Sequence, residues 1–373
     1  MPPLHQILVS RLVGGAAVVA IHLAGAAPRR GWRCQAWVPG DGPATAALDR
    51  VSAPWRTYDF EGLRGPRLRQ LAACARMVPG FAGFERPLVH VHNPTVFGLL
   101  RPALRAARAL TVVHFQIEPP AEEVAWTLAS PPSHIITCAT YITAQVRAAA
   151  DARGLRVPVT TVPNAVDVDR FVPGDANTAR ARLGMPTTRF VVLMLANLAP
   201  HKGQATTLRA MKQLVARGVP VEAWFVGEDR TPGKAYEQEL RQLTTELALG
   251  DHVRFLGFRT DGPDLLQAAD AFLLPSTHEG LPLSVLEAQA AGVPVIGSDI
   301  PGIVEVVADG RTGFVVAADN PAGYADRLQA LIADPELRRM LAAAASRQVQ
   351  GEYRFSRLEE RVFEIYDAVA TAR

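Results

Sequence analysis

The sequence has few of the residues that carry redox or metal chemistry. Its 373 residues include 3 cysteines, Cys34, Cys74 and Cys138, which are too far apart for a disulfide framework or a zinc-binding pair. An odd number of scattered cysteines is typical of a reducing compartment, so we expect a cytoplasmic protein. No Gly-x-Gly-x-x-Gly fingerprint follows the first predicted strand, so the sequence does not predict a dinucleotide cofactor.

Lysine is equally rare, with only Lys202, Lys212 and Lys234 beside 36 arginines. The charge is also uneven: residues 1–190 hold 21 arginines and 12 acids, whereas residues 191–373 hold 18 basic and 24 acidic residues. A basic half followed by an acidic half indicates two domains, the first facing an anionic partner. Because the basic residues are not interleaved with aromatic ones, we expect no nucleic-acid ligand.

No apolar run is long enough to cross a bilayer. The longest candidate, Leu12–Ala27, resembles the apolar core of a signal peptide, but it is short and contains Gly14, Gly15 and His22. We therefore predict a strand before this stretch, a turn at the two glycines and a helix after them. The arginine-rich stretch 56–76 leaves peripheral contact with the inner face of a membrane open, as an alternative to an ordinary exposed helix.

Short apolar runs alternate with helical stretches along the whole chain, as in parallel sheets that helices cover on both faces. Two such series meet near residues 163–174. We therefore predict an α/β protein with two doubly wound, Rossmann-like domains that face a central cleft. The predicted strands are Ile7–Arg11, Gln35–Val38, Leu88–His92, Thr111–Phe115, Ile135–Cys138, Phe190–Ala196, Glu222–Val226, Val253–Leu256, Ala271–Leu274, Pro294–Ile296 and Phe314–Val316.

Charged residues follow two of the predicted strands in the second half, where parallel sheets bind their ligands. Glu279 and Glu287 come after one strand, with a helix predicted over Val285–Ala291. A diphosphate bound by the free amides at that helix start would leave both carboxylates to accept hydrogen bonds from sugar hydroxyls. Lys202 follows another strand, and a compact ammonium suits a diphosphate. An exposed acid pair and an ordinary surface lysine are the alternatives.

Histidines and one aspartate pair are the candidate metal ligands. His90 and His92 share a strand face, but no carboxylate or cysteine at metal-binding spacing completes a site, so we predict no metal and assign them to the core or a site wall. His114 ends another strand and can donate a hydrogen bond to a sugar or phosphate oxygen. The single Asp-x-Asp pair, Asp167 and Asp169, falls at the predicted domain junction.

In this order, these motifs resemble glycosyltransferase family 4, whose members are retaining GT-B enzymes that use nucleotide-sugar donors. The resemblance covers nearly the whole chain and is most specific over Glu279–Glu287 and the following Ala288–Pro294. It includes Gly14-Gly15, His90-Val-His92, Val112-Val-His114, Val162–Asp167, Pro200–Gly203, Val253–Gly257, Ala269-Asp-Ala271, Pro275-Ser276, Glu305, Gly310 and Gly313. The tail Arg354–Tyr366 resembles the family's last helix, which returns to the first domain.

The resemblance also implies a domain organisation. Residues 1–168 would form an acceptor-side domain, with helix 353–373 packed back on it. Residues 169–352 would form the domain that binds the nucleotide sugar.

Position by position, the resemblance implies a role for each candidate site residue. The implied catalytic residues are His114, which would contact the donor sugar, Lys202, which would neutralise the leaving diphosphate, and Glu279, which would lie beside the transferred sugar. Glu287 would hold the ribose hydroxyls. The other implied donor-binding residues are Gly15, Asn197, Arg254, Phe255, Leu281, Leu283 and Ser284.

Three positions depart from the family pattern. Asn197 stands where many members have an arginine on the diphosphate, so charge stabilisation falls more heavily on Lys202 and the helix start. Ala165 replaces the glycine of the Pro-Asn-Gly motif, which suggests a changed turn between the domains. Pro282 has no amide to donate to the sugar.

The implied function is transfer of a sugar, with retention, from a UDP- or GDP-sugar to an acceptor hydroxyl in glycan, glycolipid or glycoside biosynthesis, without metal or other cofactor. The expected partners are the donor and an acceptor of undefined class: a glycan, a lipid-linked molecule or a small molecule. A non-catalytic, sugar-nucleotide-binding partner subunit and a GT-B epimerase stay open. A phosphorylase would need a Schiff-base lysine, and only three lysines exist to supply one.

Overall fold

The computed structural model describes residues 2–81 and 86–372, and the chain forms two compact units. The first unit holds Met1–Asn164 and Phe355–Arg373, and the second holds Ala165–Arg354. The division thus falls four residues before the predicted boundary at 168. The backbone explains the difference, because the Val166 N–H donates to the Tyr353 carbonyl at 2.8 Å and both residues lie in the second unit.

The first unit is built on a seven-stranded parallel sheet. Its strands are β1 (Leu4–Ile7), β2 (Cys34–Val38), β3 (Trp55–Thr57), β4 (Leu88–Val91), β5 (Leu110–Phe115), β6 (His134–Thr137) and β7 (Val159–Thr161). They run in the order β3-β2-β1-β4-β5-β6-β7. Its helices are α1 (Gly15–Ala26), α2 (Pro43–Arg50), α3 (Phe60–Arg64), α4 (Arg67–Phe81), α5 (Pro94–Ala106), α6 (Ala121–Leu128), α7 (Thr140–Asp151) and the last helix of the chain, α16 (Phe355–Thr371).

The second unit has a six-stranded parallel sheet. Its strands are β8 (Phe190–Leu195), β9 (Val221–Val226), β10 (Val253–Phe255), β11 (Ala271–Leu274), β12 (Val295–Ser298) and β13 (Phe314–Val316), in the order β10-β9-β8-β11-β12-β13. Its helices are α8 (Ala176–Arg182), α9 (Gln204–Ala216), α10 (Ala235–Glu246), α11 (Gly262–Gln267), α12 (Leu283–Ala290), α13 (Pro301–Val304), α14 (Pro321–Ala333) and α15 (Pro335–Glu352).

Most predicted strands differ from the observed ones by one or two residues at their ends. The first strand is the exception: it was predicted over Ile7–Arg11 and forms Leu4–Ile7 instead. Leu4 and Ile7 are fully buried between β2 and β4, whereas Arg11 is exposed. The strand therefore starts as soon as side chains can be buried on both faces of the sheet.

The last helix, α16, packs on the first unit and begins at Phe355, two residues after its predicted start. Its Tyr366 is fully buried, and the Tyr366 hydroxyl lies 2.9 Å from Gln6 Nε2 and 2.6 Å from His90 Nδ1. Near the start of the helix, Glu359 Oε1 lies 2.6 Å from His22 Nε2 on α1. Apolar burial and buried polar contacts thus both anchor this helix.

Most of the apolar stretch 12–27 forms α1, whose Ala17, Ala20, Ile21 and Ala24 pack in an apolar cluster with Ala36 and Val38 of β2. The arginine-rich stretch 56–76 is divided among β3, α3 and α4, with Leu63 buried and Leu68 exposed. In the part of the chain that the structure describes, no helix is both long enough and apolar enough to pass through a bilayer.

Candidate functional site

In the second sheet, β8 and β11 are neighbours, and the chain adds further strands in opposite directions from this pair. β9 and β10 extend it on the β8 side, and β12 and β13 extend it on the β11 side. Such a switch point leaves a crevice beyond the carboxyl ends of the two strands, where open α/β sheets bind ligands. Lys202 lies in the segment after β8, and Glu279 lies in the segment after β11. The two predicted motifs therefore meet at the switch point.

Lys202 and Glu279 form an ion pair there. Lys202 Nζ lies 2.6 Å from Glu279 Oε1, and the Ser276 hydroxyl donates to the same oxygen at 2.7 Å. The two side chains are only 20% and 9% exposed. Two of the three residues that the sequence predicts as catalytic are therefore in direct contact, and Glu279 holds the ammonium of Lys202 in place. Sequence reasoning did not predict this pairing.

Backbone contacts also join the two segments. The Thr277 N–H donates to the His201 carbonyl at 2.8 Å, and the Ser298 hydroxyl on β12 donates to the Ser276 carbonyl. Gly203 has φ +81°, and a Cβ at this position would lie 2.2 Å from the carbonyl oxygen of Pro275. Only glycine fits this close approach, so Gly203 fixes the distance between the Lys202 turn and the Glu279 loop.

Gly203→Ala is expected to lower the sugar transfer that the resemblance implies by about tenfold, because the added methyl group pushes the Lys202 turn away from Pro275 and small displacements at a reacting site are costly. Turnover of a nucleotide-sugar donor would measure this effect. Gly184→Ala is the matched control: Gly184 has φ +65° in the same unit, but a Cβ there meets nothing within 4 Å. Equal activity losses in the two variants would show that backbone strain, and not the Pro275 contact, is responsible.

Helix α12 begins at Leu283, two residues before the predicted start, with Pro282 as its N-cap. Among the described residues, the N–H groups of Leu283 and Ser284 have no acceptor, while those of Val285 and Leu286 donate to the Pro282 carbonyl. The first turn of the helix thus leaves two amides available to a ligand, and free amides at a helix start suit an anion. The neighbouring Leu281 is buried.

Glu287 lies in the second turn of α12 and is half-buried. No residue within 2–81 or 86–372 makes a hydrogen bond or ion pair with its carboxyl group at the distances that define such contacts. Burial raises the pKa of Glu287 to about 7, and the nearby Arg170 guanidinium partly opposes the increase. A half-buried carboxyl group without a protein partner is suited to accept hydrogen bonds from a ligand.

The side chains of Arg254 and Phe255 have structural partners. Arg254 forms an ion pair with the buried Glu222, and the Phe255 ring lies 5.3 Å from the Phe225 ring with the Arg241 guanidinium 4.5 Å above it. The Arg254 side chain is still 40% exposed, and the backbone of both residues lies on β10 at the edge of the second sheet. The sequence analysis did not identify Glu222 as the partner of Arg254. The position of Glu222, as the single acid inside the apolar run Val221–Val226, is the feature that marks it.

Asn197 follows β8, as predicted for a donor-binding residue, and is exposed. Its carbonyl accepts a hydrogen bond from Gln204 Nε2 at 2.9 Å, which fixes the backbone of the turn. The side chain is neutral, so the charge at this switch point comes from Lys202 and its partner Glu279.

In the first unit, the corresponding switch point lies between β1 and β4. Helix α1 begins at Gly15 with Gly14 as its N-cap, and a Cβ at Gly14 would meet nothing within 4 Å. Both glycines are exposed, so ligand atoms can approach this helix start closely. The predicted turn into a helix is therefore present.

Gln116 connects two histidines of the buried cluster formed by His90, His92 and His114. Its Nε2 lies 3.1 Å from His92 Nδ1 and 3.5 Å from His114 Nδ1. An amide nitrogen only donates, so both histidine Nδ1 atoms accept and both rings carry their hydrogen on Nε2. The His92 Nε2–H donates to Gln6 Oε1 at 2.7 Å. Sequence reasoning missed Gln116, although its place directly after β5 is a signal.

The chain of donors continues to His90. Gln6 Nε2 donates to the Tyr366 hydroxyl, whose own hydrogen finds its acceptor in His90 Nδ1. The three rings offer atoms within 4.8 Å of one another, but in this assignment every Nδ1 lone pair is occupied and every Nε2 carries hydrogen. In these tautomers the rings offer no lone pair to a metal ion, and the Nε2 atoms of His90 and His114 have no hydrogen-bond partner in the described part of the chain. Burial lowers the pKa of all three histidines, that of His114 to about 3, so the rings are neutral at physiological pH.

His114 keeps one donor available. Its Nε2 is buried and has no hydrogen-bond partner in the described part of the chain. A neutral imidazole with an unpaired Nε2–H can donate to a ligand oxygen, which is the role that the sequence predicts for His114.

The aspartates of the Asp-x-Asp pair have a local role. Asp167 Oδ1 lies 3.2 Å from the backbone nitrogens of both Asp169 and Arg170, so the side chain closes a turn. Asp167 and Asp169 are exposed and precede β8 by more than twenty residues. They lie outside the two segments that meet at the switch point.

Each unit matches a family model. Residues 13–170 match the model described as Glycosyltransferase Family 4, and residues 175–348 match the one described as Glycosyl transferases group 1. The structure is similar over 99% of its length to Anabaena HepE in complex with UDP and glucose, with a TM-score of 0.87, 23% identity and 100% of that chain covered. It is also similar to sucrose-phosphate synthase from Thermosynechococcus elongatus, with a TM-score of 0.81, 20% identity and both chains fully covered.

Curated relatives of known sequence similarity are also glycosyltransferases. A D-inositol 3-phosphate glycosyltransferase from Catenulispora acidiphila is 36% identical over 183 residues, which cover 48% of this chain and 43% of the relative. A GDP-mannose-dependent monoacylated alpha-(1-6)-phosphatidylinositol monomannoside mannosyltransferase from Corynebacterium glutamicum is 35% identical over 217 residues, 55% of each chain. The chain thus spans about half the length of the curated relatives it matches.

The two doubly wound units and their structural neighbours place the protein in the GT-B fold class, which confirms the predicted fold. The two family models together account for most of the sequence. The chain belongs to glycosyltransferase family 4, as the motifs indicated.

Proposed function

We propose that the protein is a retaining glycosyltransferase that moves a sugar from a UDP- or GDP-sugar to an acceptor hydroxyl. The observation that carries the proposal is the grouping at the second switch point: the Lys202–Glu279 ion pair, the free amides at the start of α12 and the carboxyl group of Glu287. The names of similar proteins support the donor class, since they mention UDP with glucose in one case and GDP-mannose in another.

The chemistry requires negative charge to be stabilised on the diphosphate while the bond between the sugar C1 and the phosphate oxygen breaks. Lys202 and the α12 amides would supply the positive charge that stabilises the diphosphate, and Glu279 would orient Lys202. A bond from the acceptor oxygen to C1 would form on the same face of the sugar, with the acceptor proton passing to the leaving diphosphate. This path retains the configuration at C1 without a protein base.

Each unit has a side chain with an unpartnered polar atom that suits a role in donor binding. Glu287 would accept hydrogen bonds from the ribose hydroxyls, for which its carboxyl group has free oxygens. His114 would donate from Nε2 to a sugar oxygen and stay neutral, because its pKa lies far below physiological pH. We assign Gly15 a backbone contact with the donor phosphate at the exposed start of α1.

Transfer is expected to continue in excess EDTA. Lys202 and the helix start supply the positive charge that Mg²⁺ often provides, while the histidine cluster offers no lone pair and Asp167 closes a turn. Activity would be measured with and without chelator, with Mg²⁺ and Mn²⁺ added back. Loss of activity that either ion restores would contradict metal independence and direct attention to Asp167 and Asp169.

The function itself is tested by incubating the purified protein with UDP- and GDP-sugars and a panel of acceptor alcohols. Melting temperatures find the donor first, because a ligand at a hundred times its Kd stabilises by about 2.7 kcal/mol. NMR of the product then gives the configuration at C1. A donor that binds but is neither transferred nor hydrolysed would favour the non-catalytic partner subunit, and a new sugar nucleotide formed without acceptor would favour an epimerase.

A further inference from the structure

A cavity of about 350 Å³ in the first unit is lined by three arginines, Arg101, Arg105 and Arg108, together with Phe97 and Ser130. We call it the arginine pocket. The arginines follow one another along one face of α5 and the turn after it. The volume lies at the small end of the range for ligand pockets, about 300–1,000 Å³.

The arginine pocket is separate from the candidate site of this unit. It opens at the amino-terminal ends of β5 and β6, where Thr111 and Ser133 line it. His114 and Gln116 lie toward the other end of β5, and at ~3.3 Å per residue the strand separates the two ends by about 15 Å. The proposed transfer reaction therefore does not account for these arginines.

Charge accumulates in the pocket without compensation. Its lining includes no carboxylate among the described residues, and none of the three arginines forms an ion pair within ranges 2–81 and 86–372. The carboxyl-terminal ends of α5 and α6 lie nearby, and each contributes about −0.5 charge. The three positive guanidinium groups and the partial negative charges of the two helix ends together give a net charge of about +2.

Arg101 has a structural role of its own. It donates to the carbonyls of Trp126 and Thr127 at the end of α6, and its guanidinium lies 5.1 Å from the Trp126 ring. Burial and the charge of Arg105 both lower the pKa of Arg101. The like-charged neighbour is thus unfavourable, and an anion between the two would relieve the repulsion.

Arg108 occupies a position that favours glycine. The N–H groups of Arg108 and Ala109 donate to the carbonyls of Arg105 and Leu104, which is the pattern of a Schellman motif at the end of α5. Arg108 has φ +50°, a conformation that costs a residue with a side chain but not glycine. Glycine is the residue that this conformation favours, and Ala248 with φ +53° occupies the same position after α10, so the conformation of Arg108 leaves its guanidinium group free for another role without assigning one.

We propose that the arginine pocket binds a phosphate monoester. A dianion matches the net charge, and guanidinium groups bind phosphate oxygens in pairs. The Ser130 hydroxyl lies 3.0 Å from an Arg105 nitrogen and adds a hydrogen-bonding group. Phe97, Leu104 and Pro131 supply apolar walls for the carbon part of the ester.

The test uses glycerol 3-phosphate as probe in titration calorimetry of the full chain. Arg105→Gln/Arg108→Gln is expected to weaken binding by at least about tenfold, since each charge-assisted hydrogen bond contributes more than a neutral one. Arg67→Gln/Arg69→Gln, two exposed residues of α4 with the same charge change, is the matched control and is expected to bind as wild type does. Loss of binding in both double variants, or no binding by wild type, would overturn the proposal.

Arg108→Gly separates a binding role from a structural one. It removes one guanidinium but gives the turn its preferred residue, so binding is expected to weaken while the melting temperature stays equal or rises. A lower melting temperature with unchanged binding would show that Arg108 is structural and would overturn its place in the site.

Vesicles distinguish the sources of the phosphate ester. If wild type but not Arg105→Gln/Arg108→Gln sediments with vesicles containing phosphatidic acid, and not with pure phosphatidylcholine, the ligand is a lipid head group. Binding of glycerol 3-phosphate without sedimentation assigns a free phosphate ester. Both results support the pocket, and both are independent of the proposed transfer activity.

Discussion

Lys202→Met is expected to lower kcat by about 10²–10³-fold, the usual cost of removing one preorganised charge or donor from a reacting centre. The size of the effect follows from the neighbourhood of Lys202. Asn197 on the same turn is neutral, so Lys202 is the side-chain cation of the two segments that meet at the switch point. Donor turnover measures the loss, and Lys212→Met on the exposed face of α9 is the control, with wild-type activity expected.

The same substitution is expected to reduce stability. Glu279 is 9% exposed, and Lys202→Met leaves its carboxylate without the ammonium 2.6 Å away. Breaking a buried pair by removing one partner costs about 3–5 kcal/mol, and the 20% exposure of Lys202 places this case toward the lower end or below it. Lys202→Met/Glu279→Gln is therefore expected to unfold at a higher temperature than Lys202→Met.

The double variant separates structure from catalysis. Its regained stability should not bring back turnover, because the charge on the diphosphate side is still missing. If Lys202→Met/Glu279→Gln regains both stability and activity, Lys202 is a structural partner of Glu279 and the diphosphate is neutralised elsewhere.

The sequence predicted the continuously apolar strands well, at the centre and at the edge of the second sheet, because such runs have a strong signal. Runs such as Ala271–Leu274 and Phe314–Val316 are apolar along their whole length, since helices cover both faces of the sheet, and their bounds were predicted without error. The strands β3 and β7 were missed. Each has three residues, lies at a sheet edge and contains polar side chains, so neither length nor hydrophobicity marks it.

The residues of the candidate site were found by their position after strands, but their partners were not. The Lys202–Glu279 contact joins residues 77 positions apart, and Tyr366 reaches Gln6 across 360 positions. Such contacts depend on strand order, which apolar periodicity does not encode. The start of α12 was predicted two residues late because Pro282 serves as N-cap, whereas the apolar pattern alone favours a start inside the helix.

Glu287→Gln is expected to remove a pH dependence from nucleotide-diphosphate binding. With a pKa of about 7, the Glu287 carboxyl group of wild type is ionised at pH 8 and mostly protonated at pH 6. If the carboxylate is the form that accepts the ribose hydroxyls, its ionisation alone changes the affinity by about tenfold over this range. Calorimetry with UDP and GDP at both pH values measures the change.

The ligand contributes its own titration, since a terminal phosphate has a pKa of about 6. Glu287→Gln keeps that contribution and loses the one from the carboxyl group, so the difference between the two proteins isolates Glu287. The variant is also expected to bind more weakly than wild type at pH 8. The bare nucleotide diphosphate is the right probe because it retains the ribose and lacks the transferred sugar.

Stability provides an independent readout with a defined sign. The folded pKa of Glu287, about 7, lies above its ordinary value of 4.5, so the fold favours the protonated form. The contribution of this group to stability is therefore complete below about pH 4.5 and is lost as the pH rises through 7. Glu287→Gln is never charged at this position. Above pH 7 its free energy of unfolding should exceed that of wild type by on the order of 1–3 kcal/mol, and near pH 4.5 the two proteins should not differ.

Glu246→Gln on the exposed face of α10 is the control with the same change of charge, and it should shift neither binding nor stability with pH. The two readouts must move in opposite directions at pH 8, with stability gained and nucleotide affinity lost. This opposition is what a carboxyl group kept half-buried for a ligand produces, because the cost of burying its charge is compensated only when the ribose hydroxyls are bound. If Glu287→Gln gains stability but binds UDP and GDP as wild type does, the ribose binds elsewhere. If it shows neither effect, Glu287 is an ordinary residue of the helix with no role in nucleotide binding.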